Sequence, residues 1–277
     1  TNGFYLPMDG NSPIGQDKSG KGNNWTPTNF GGSVALDNPQ VSGARPILNT
    51  DGGGNVARVG VRTDAYHANL VLALPLVGSV NDVSNSVNSG STTKAVTTNG
   101  NPVASSAQSN FYNGSFEFDS DDYLSLADSN DFNLVSSGTG DFTIEFYVYL
   151  PDISARYVLS SGTDSTRLYI NSSTRLHLNN PSDSFLMESS TAADAIKANK
   201  WTHIAFCKSS STGYIFVDGV QYSFHSGPAL GGSLDFNDLR IGRSSTSINA
   251  HIQDVRVYKG VAKYTSDFVV PATSPDI

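Results

Sequence analysis

Two acidic side chains, Asp141 and Glu145, lie four residues apart in a run that alternates polar and apolar residues. In a β-strand this spacing puts both carboxyl groups on one face, and a retaining glycosidase needs two carboxyl groups about 5–5.5 Å apart. Thr143 stands between the two acids, however, and the sequence contains no Glu-x-Asp-x-x-Glu pattern. We therefore interpret the pair as solvent-facing strand positions and predict that the protein is not an enzyme.

Nucleophilic and transition-metal chemistry also lack their usual patterns. The sequence has no Gly-x-Ser-x-Gly, His-x-His or His-Glu-x-x-His motif, so it indicates neither a serine hydrolase nor a zinc site. Cys207 is the only cysteine, which excludes an internal disulfide and a thiolate metal site, and we interpret it as a small buried thiol. The five histidines are scattered over separate segments: His67, His177, His203, His225 and His251.

The charge balance excludes two classes of partner. The chain has 17 Lys and Arg against 25 Asp and Glu, a net charge of −8, and no basic run that could neutralise nucleic-acid phosphates or bind an anionic membrane. No apolar run reaches the length of about 18 residues that suggests a membrane span. We expect no nucleic-acid binding and no membrane insertion. The first residues show no initiator Met and no signal-peptide pattern, so we expect a mature or excised part of a longer product.

Short strands must position these side chains. From Gly114 onward, apolar and polar residues alternate in short runs separated by turn residues, which is typical of an antiparallel sandwich or jelly roll. The Asp218-Gly219 step between apolar runs predicts a type I′ hairpin, and a helical pattern is present only near residues 192–197. We predict an all-β fold, an antiparallel two-sheet jelly-roll sandwich over residues 66–277. An irregular Gly- and Asn-rich N-terminal extension, residues 1–65, is expected to pack on a neighbour or a preceding domain.

A weak internal repeat links the two parts of the chain. Residues 6–10 (LPMDG) are followed by Asp17 and Ser19, and residues 74–78 (LPLVG) are followed by Asp82 and Ser84. Both copies fit an apolar strand followed by a turn and an Asp-x-Ser loop. This similarity suggests a duplicated module or its remnant.

The order of motifs after residue 69 resembles that of a known family. Residues 74–84, 114–124 and 141–146 are followed by WTHIA at 201–205, GYIFVDG at 213–219, LRIG at 239–242 and IQDVRVY at 252–258. This succession resembles the laminin-G-like domains of the concanavalin A-like lectin/glucanase group. The resemblance implies a two-sheet jelly roll that often binds carbohydrate or protein and often carries calcium.

A second resemblance concerns the two ends of the chain. Residues 259–268 followed by Pro271 are similar to the endings of such modules in structural proteins of tailed phages, especially marine ones of the cyanophage type. Residues 3–30 are similar to stretches that precede those modules. The resemblance implies a non-enzymatic virion-surface or tail-appendage module for assembly and attachment to a host-surface glycan. The alternative is a secreted bacterial lectin-like carbohydrate-binding or adhesin module, and a glycoside hydrolase or lyase is disfavoured by the missing acid pattern.

The family resemblance also points to one metal site. Asp82 and Asp254 match positions that often supply calcium ligands in the family, and Asp, Asn, Ser and Gly loops offer the oxygen ligands that calcium prefers. We predict one calcium ion bound by these two carboxylates and by backbone carbonyls. In the alternative interpretation, Asp82 caps a turn and Asp254 pairs with Arg256 or a neighbouring Lys.

Aromatic residues bear on two kinds of partner. Carbohydrate recognition needs an exposed aromatic ring beside amide and carboxylate groups, and alternation leaves open which of six tyrosines face outward: Tyr112, Tyr147, Tyr149, Tyr157, Tyr169 and Tyr214. We also expect a homo-oligomer, in contact with other virion subunits at an extracellular or virion surface. Its interface would bury five apolar side chains of the first segment: Phe4, Tyr5, Leu6, Trp25 and Phe30.

Overall fold

The computed structural model describes ten stretches of the chain: residues 3–5, 17, 19–25, 66–110, 114–119, 121–163, 165–193, 195–242, 248–268 and 270. Contacts between Cα atoms divide the chain into two compact units. One contains Thr1–His67 and Pro271–Ile277, and the other contains Ala68–Val270. The second unit contains all the strands given below.

Within the described stretches, short strands account for most of the regular structure. In chain order the strands are β1 (Leu70–Leu74), β2 (Val96–Asn99), β3 (Val103–Ser105), β4 (Ser115–Phe118), β5 (Tyr123–Leu126), β6 (Asn133–Val135), β7 (Phe142–Tyr149), β8 (Arg156–Ser160), β9 (Arg167–Ile170), β10 (Leu176–Asn179), β11 (Phe185–Glu188), β12 (Trp201–Ser209), β13 (Thr212–Val217), β14 (Val220–Tyr222), β15 (Ala229–Leu230), β16 (Leu234–Asp235), β17 (Arg240–Ile241) and β18 (Ala250–Lys259). The helices are α1 (Ser84–Val87) and two 3₁₀ turns, His67–Asn69 and Asn130–Phe132.

These strands form two large antiparallel sheets. The first sheet has the order β14-β13-β12-β7-β18-β4-β3, and β1 also pairs with β18. The second sheet has the order β15-β11-β10-β9-β8-β17-β5-β2, and β6 and β16 form a small separate ribbon. The prediction of an all-β, two-sheet antiparallel jelly roll is confirmed.

Alternating side chains build the core between the sheets. In β7, Phe142, Ile144, Phe146 and Val148 belong to one apolar cluster. The second sheet contributes its own alternate residues to the same cluster, among them Leu168 and Leu178. Burial of such side chains is the main favourable contribution to folding, so the period-two pattern determines which face of each strand lies inward.

Of two local predictions from the sequence, the hairpin at Asp218-Gly219 forms and the helix near residues 192–197 does not. Asp218 and Gly219 join β13 to β14 with φ values of +49° and +79°, as the predicted type I′ hairpin requires. The helical pattern near residues 192–197 forms only a turn, in which the Ile196 N–H donates to the Ala192 carbonyl over 2.8 Å. Both of these apolar side chains are buried in the core.

Strand β18 is irregular at Asp254. Gln253 pairs with Tyr147 of β7, but the next registered pair joins Arg256 to Glu145, so β18 has one extra residue between the two pairs. Asp254 adopts φ +54° at this point, in the left-handed region that a β-bulge commonly uses. The bulge places Arg256 opposite Glu145 on the outer face of the first sheet.

In the described residues, no helix is long and apolar enough to cross a membrane.

Candidate functional site

The Asp82 carboxylate, one of the two predicted calcium ligands, is enclosed by protein donors. Its Oδ1 accepts the N–H groups of Ala73 at 3.1 Å and Ser84 at 2.9 Å. Its Oδ2 accepts the Ser84 hydroxyl at 3.0 Å and the Lys94 N–H at 3.0 Å. The side chain therefore ties β1 to the loop before β2.

Asp17 in the other unit has an equivalent set of contacts. Its Oδ1 accepts the N–H groups of Tyr5 and Ser19, both at 2.9 Å or less. Its Oδ2 accepts the Ser19 hydroxyl and the Asn23 N–H, each at 2.9 Å. The two Asp-x-Ser motifs that define the predicted internal repeat thus use the same hydrogen-bond pattern.

Asp254, the second predicted calcium ligand, forms a bidentate ion pair. The Arg256 Nε donates to Oδ1 at 2.9 Å and its Nη2 donates to Oδ2 at 2.9 Å. Both residues are buried, and the Asp254 N–H donates to the Pro75 carbonyl at 3.1 Å. Pairing of a buried carboxylate with a guanidinium fork is the favourable way to keep both charged.

The two carboxylates therefore have the contacts expected from the alternative interpretation, a turn cap for Asp82 and an arginine pair for Asp254. An ion at either position would compete with these donors, so the residues do not fit an open calcium site. Across the described part of the chain, no cluster of three or more His, Cys, Asp or Glu side chains is arranged to hold a metal. The calcium site stays a prediction.

Glu145 is the centre of a buried charge network. Its side chain faces away from the core and is nevertheless only 3% exposed. The Lys263 Nζ lies 2.7 Å from Oε1, and Oε2 accepts the Tyr264 hydroxyl at 2.9 Å. His203 Nε2 lies 3.3 Å from Oε2, and Arg256 Nη1 lies 3.9 Å from Oε1. The interpretation of Glu145 as a solvent-facing position is wrong, because the segment after β18 covers this face of the sheet.

The network keeps Glu145 ionised despite its burial. Burial by itself would raise the pKa of the carboxyl group, but Lys263, then His203 and Arg256, lower that pKa well below its usual value. The covering segment also contributes apolar contacts, since Tyr264 and Phe268 pack with Ala205, Cys207 and Phe216. Cys207 is buried there as predicted, and burial raises the pKa of its thiol to about 12, which removes it as a nucleophile at neutral pH.

Asp141 lies at the rim of a polar cavity, away from Glu145's network. The cavity has a volume of about 820 Å³ and is lined by the β6–β7 and β12–β13 connections and by residues 228–231. Many of its polar groups are already satisfied by the protein. The Lys208 Nζ donates to the Gly140 and Ser210 carbonyls, at 2.8 and 2.6 Å, and the Asp141 Oδ1 accepts the Ser210 N–H at 2.7 Å.

The outer face of the second sheet carries a row of aromatic and polar side chains. Tyr157, Tyr169, His177 and Glu188 are direct cross-strand partners on β8, β9, β10 and β11. The Tyr157 and Tyr169 ring centroids are 5.1 Å apart, and Tyr169 stacks on His177 at 4.4 Å. Both tyrosines are partly exposed. Such cross-strand aromatic pairs fix ring positions through packing.

Partial burial shifts the pKa values of His177 and Tyr169 in this aromatic row. Burial lowers the pKa of His177, so its ring is neutral at pH 7 and Nε2 accepts a hydrogen bond from the Asn171 Nδ2 at 3.0 Å. Burial raises the pKa of the Tyr169 hydroxyl, which stays protonated. The Glu188 carboxylate is paired with Arg175 at 3.0 Å.

A second row runs beside the aromatic row, two residues along β9 and β10 and, across an irregularity, three residues along β8. Arg167 of β9 pairs in register with Ser160 of β8 and Asn179 of β10. The buried Arg167 Nε and the buried Asn179 Oδ1 make no hydrogen bond within the described stretches. The hydroxyls of Tyr157 and Tyr169 likewise have no protein partner there. This face therefore combines aromatic rings with hydrogen-bonding groups that the protein leaves unsatisfied.

Sequence reasoning found part of this site. It named Tyr157 and Tyr169 among its aromatic candidates but did not assign them a face, and it did not name Arg167, Asn179 or His177 as binding residues. Alternation in each strand could have placed these side chains on a common face, whereas the strand register that brings them together could not be read from one sequence. Of the other candidates, Tyr147 is buried beside His203, and Tyr112 lies outside the described residues.

Residues 118–263, more than half of the chain, match the family model described as the concanavalin A-like lectin/glucanases superfamily. No curated protein matches the sequence. Among solved structures, the binding domain of Paraclostridial Mosquitocidal Protein 1 is similar with a TM-score of 0.55 and 12% identity, over 72% of this chain and 50% of that one.

Two botulinum neurotoxin binding domains give similar values. The serotype G domain has a TM-score of 0.51 and 18% identity, over 71% of this chain and 49% of that one. The DC domain, in complex with rat synaptotagmin II, has a TM-score of 0.52 and 13% identity, over 70% and 49%. The chain thus spans about half the length of these structures, and the likeness concerns the fold.

The buried charge network predicts a pH-dependent effect of Lys263→Met. The substitution leaves the Glu145 carboxylate without its closest cation, so we expect the free energy of unfolding at pH 7 to fall by about 3–5 kcal/mol. Glu145 in the wild type has a lowered pKa, so its stabilisation is present above the unfolded pKa near 4.5 and is lost as the pH falls through the lower folded value. The variant should therefore approach wild-type stability in acid, as measured by urea unfolding across pH.

Lys200→Met is the matched control for this experiment. Lys200 pairs with Asp218 at 2.7 Å, but the lysine side chain is half exposed. An exposed pair of this kind contributes about 0–1 kcal/mol. Equal effects of the two substitutions at pH 7 would contradict a buried, coupled role for Lys263.

The calcium prediction is tested by melting the protein in calcium and in chelator. A bound ion stabilises by RT ln(1 + [L]/Kd), so a site at Asp82 and Asp254 requires a higher melting temperature in calcium, with the difference abolished by Asp82→Asn. Identical melting curves would contradict the calcium site and leave Asp82 as a turn cap and Asp254 as the partner of Arg256. Magnesium at the same concentration controls for ionic strength.

Proposed function

The chain belongs to the concanavalin A-like lectin/glucanases superfamily, and we propose that its jelly roll is a non-enzymatic saccharide-binding module. The observation that carries the proposal is the outer face of the second sheet. There, Tyr157 and Tyr169 stand beside Arg167 and Asn179, and the buried Arg167 Nε and Asn179 Oδ1 make no hydrogen bond within the described residues.

The chemistry of this face suits sugar hydroxyl groups. A hydroxyl both donates and accepts, so sugar hydroxyl groups can bond the donors and the acceptors of this face alike. Asn179 is 5% exposed, and a buried polar atom without a partner is unfavourable until a ligand or water satisfies it. Aromatic rings with polar hydroxyl tips add apolar contact area and further hydrogen bonds.

Rigidity of the face also favours binding. The Tyr169 ring is stacked on His177, and His177 is bonded to Asn171. These contacts hold the side chains before a ligand arrives, so less conformational entropy is lost on binding. Regular strands are also a more fixed support for a site than loops.

The pattern of carboxylates supports binding rather than hydrolysis. Glu188, the acid in the aromatic row, is paired with Arg175. Glu145 is buried and paired with Lys263 on the other sheet. Asp254 shares Arg256 with Glu145 and is also buried, so this pair of carboxylates is closed to a substrate, whereas a glycosidase needs its two carboxyl groups beside the scissile bond.

The cavity beside Asp141 is the competing location for a ligand. It has a volume of about 820 Å³, and concave sites are where small molecules usually bind. However, no aromatic side chain lines it, and its lysine and aspartate are already engaged by backbone groups. We therefore place the saccharide on the outer face of the second sheet.

Tyr169→Ala tests this assignment. Glycan-array screening identifies a ligand, and titration calorimetry then compares variants. We expect about tenfold weaker binding, equivalent to about 1.4 kcal/mol, because the variant loses both the ring and its hydroxyl. Tyr169→Phe, which keeps the ring, should lose only part of this affinity.

Gly231→Arg is the control that fills the competing cavity. A Cβ at Gly231 meets no heavy atom within 4 Å, so the first atom of the new side chain clashes with nothing. Loss of binding in Gly231→Arg but not in Tyr169→Ala would move the site to the cavity. Absence of any saccharide ligand would refute the function, and release of shortened saccharide products would make the protein an enzyme.

We further propose where this saccharide-binding module acts: on a virion surface, as a homo-oligomer in contact with other virion subunits. It is supported by the resemblance of residues 259–268 to phage structural proteins and by three exposed aromatic side chains of the first unit, Phe4 at 52%, Tyr5 at 40% and Trp25 at 57%. Leu6 and Phe30 of the expected interface lie outside the described residues. The alternative is a secreted bacterial lectin-like module.

Self-association should therefore depend on Trp25. We expect sedimentation velocity to show an oligomer whose dissociation constant rises about tenfold in Trp25→Ser, because an aromatic contact is removed. Val220→Ser, which changes another exposed apolar residue, is the matched control. A wild-type monomer at all concentrations would contradict the oligomer.

A further inference from the structure

We propose that the outer face of the second sheet selects anionic saccharides, with Arg167 and Arg240 binding carboxylate or sulfate groups on the sugar. The inference rests on the proposed saccharide-binding function. It names a ligand class and two specificity-determining residues.

The two arginines are placed by strand register. Arg240 of β17 pairs with Ser160 of β8, and Ser160 pairs on its other side with Arg167 of β9. Direct cross-strand partners project from the same face of a sheet. The Cα atoms of the two arginines are therefore two strand spacings apart, roughly 10 Å, with a small serine between them.

Arg167 has no counter-charge in the part of the chain that the structure describes. By contrast, Arg156 pairs with Asp152 at 2.7 Å, and Arg175 pairs with Glu188 at 3.0 Å. Arg240 forms no ion pair among the same residues and lies over the Tyr123 ring at 5.4 Å. Both arginine residues are partly exposed.

Two acidic residues of the same sheet, one in β11 and one in the turn before it, are already engaged. Asp183 accepts a hydrogen bond from the Asn179 Nδ2 at 2.6 Å, and Glu188 is held by Arg175. Two arginines without acidic partners are unusual in a chain whose net charge is −8. Their local positive charge would attract an anion despite the overall negative charge of the protein.

Guanidinium geometry favours a particular kind of anion. Arg presents parallel N–H groups that bond the two oxygens of a carboxylate or of a sulfate ester. The unsatisfied Asn179 Oδ1 next to Arg167 can accept a hydroxyl from the same sugar. Tyr169, two residues after Arg167 on β9, contributes its ring and hydroxyl to the adjoining position. A charged substituent and its neighbouring hydroxyl are thus recognised together.

The experiment compares charged polymers with their neutral counterparts. Polygalacturonate against its full methyl ester tests carboxylates, and dextran sulfate against dextran tests sulfates. With the full-length chain we expect at least tenfold tighter binding to one charged polymer than to its neutral form, weakening as salt is added. In Arg240→Gln this preference should fall at least fivefold, with binding to the neutral form unchanged. In Arg167→Gln the preference should also fall at least fivefold.

Arg156→Gln is the matched control, because it removes the same charge from a β8 arginine that already has an acidic partner. Melting curves of all variants exclude unfolding as the cause. Equal binding of charged and neutral forms, or equal effects of Arg156→Gln and Arg167→Gln, would overturn the inference. If charge makes no difference but Tyr169→Ala still weakens binding to a neutral glycan about tenfold, the proposed function stands and only this inference fails. Absence of binding to every saccharide refutes both.

Discussion

The burial of the Glu145 carboxylate constrains much of the first sheet. A carboxylate removed from water needs a compensating charge close by, and here that charge is Lys263, on the segment that follows β18. The same segment covers the outer face of the sheet with Tyr264 and Phe268. The segment that buries the Glu145 carboxylate therefore also supplies the charge that compensates it, so the covering of this face and the ion pair depend on each other.

The bulge in β18 follows from the same constraint. An extra residue at Asp254 moves Arg256 opposite Glu145, and Asp254 then pairs with the Arg256 guanidinium. Two carboxylates and two cations are thus brought together in one buried group. In this environment the Asp254 carboxylate compensates the buried charge of Arg256. That is a structural role for a residue whose type and position suggest a metal ligand.

The two sheets differ in what their outer faces leave for a partner. The centre of the first is covered by the segment after β18, which buries Glu145 and its cations, whereas the row of Tyr157, Tyr169 and Arg167 on the second is partly exposed and includes a buried polar atom without a hydrogen-bond partner in the described residues. Burial of polar groups without partners is unfavourable, so such groups persist where a ligand or solvent satisfies them. This difference is the physical reason for assigning binding to the second sheet.

The sequence by itself determined the all-β class, the positions of most strands and the Asp218-Gly219 turn, because these depend on local alternation and on backbone conformations of single residues. It also indicated the repeated Asp-x-Ser motif, since a side chain that bonds the backbone two residues later is a local device. Tertiary structure decided the rest. Alternation placed Glu145 opposite the core residues but could not show that a segment more than one hundred residues later would cover it. The extra residue at Asp254 and the cross-strand row of Arg240, Ser160 and Arg167 depend on register, and register is set by how all the strands pack together.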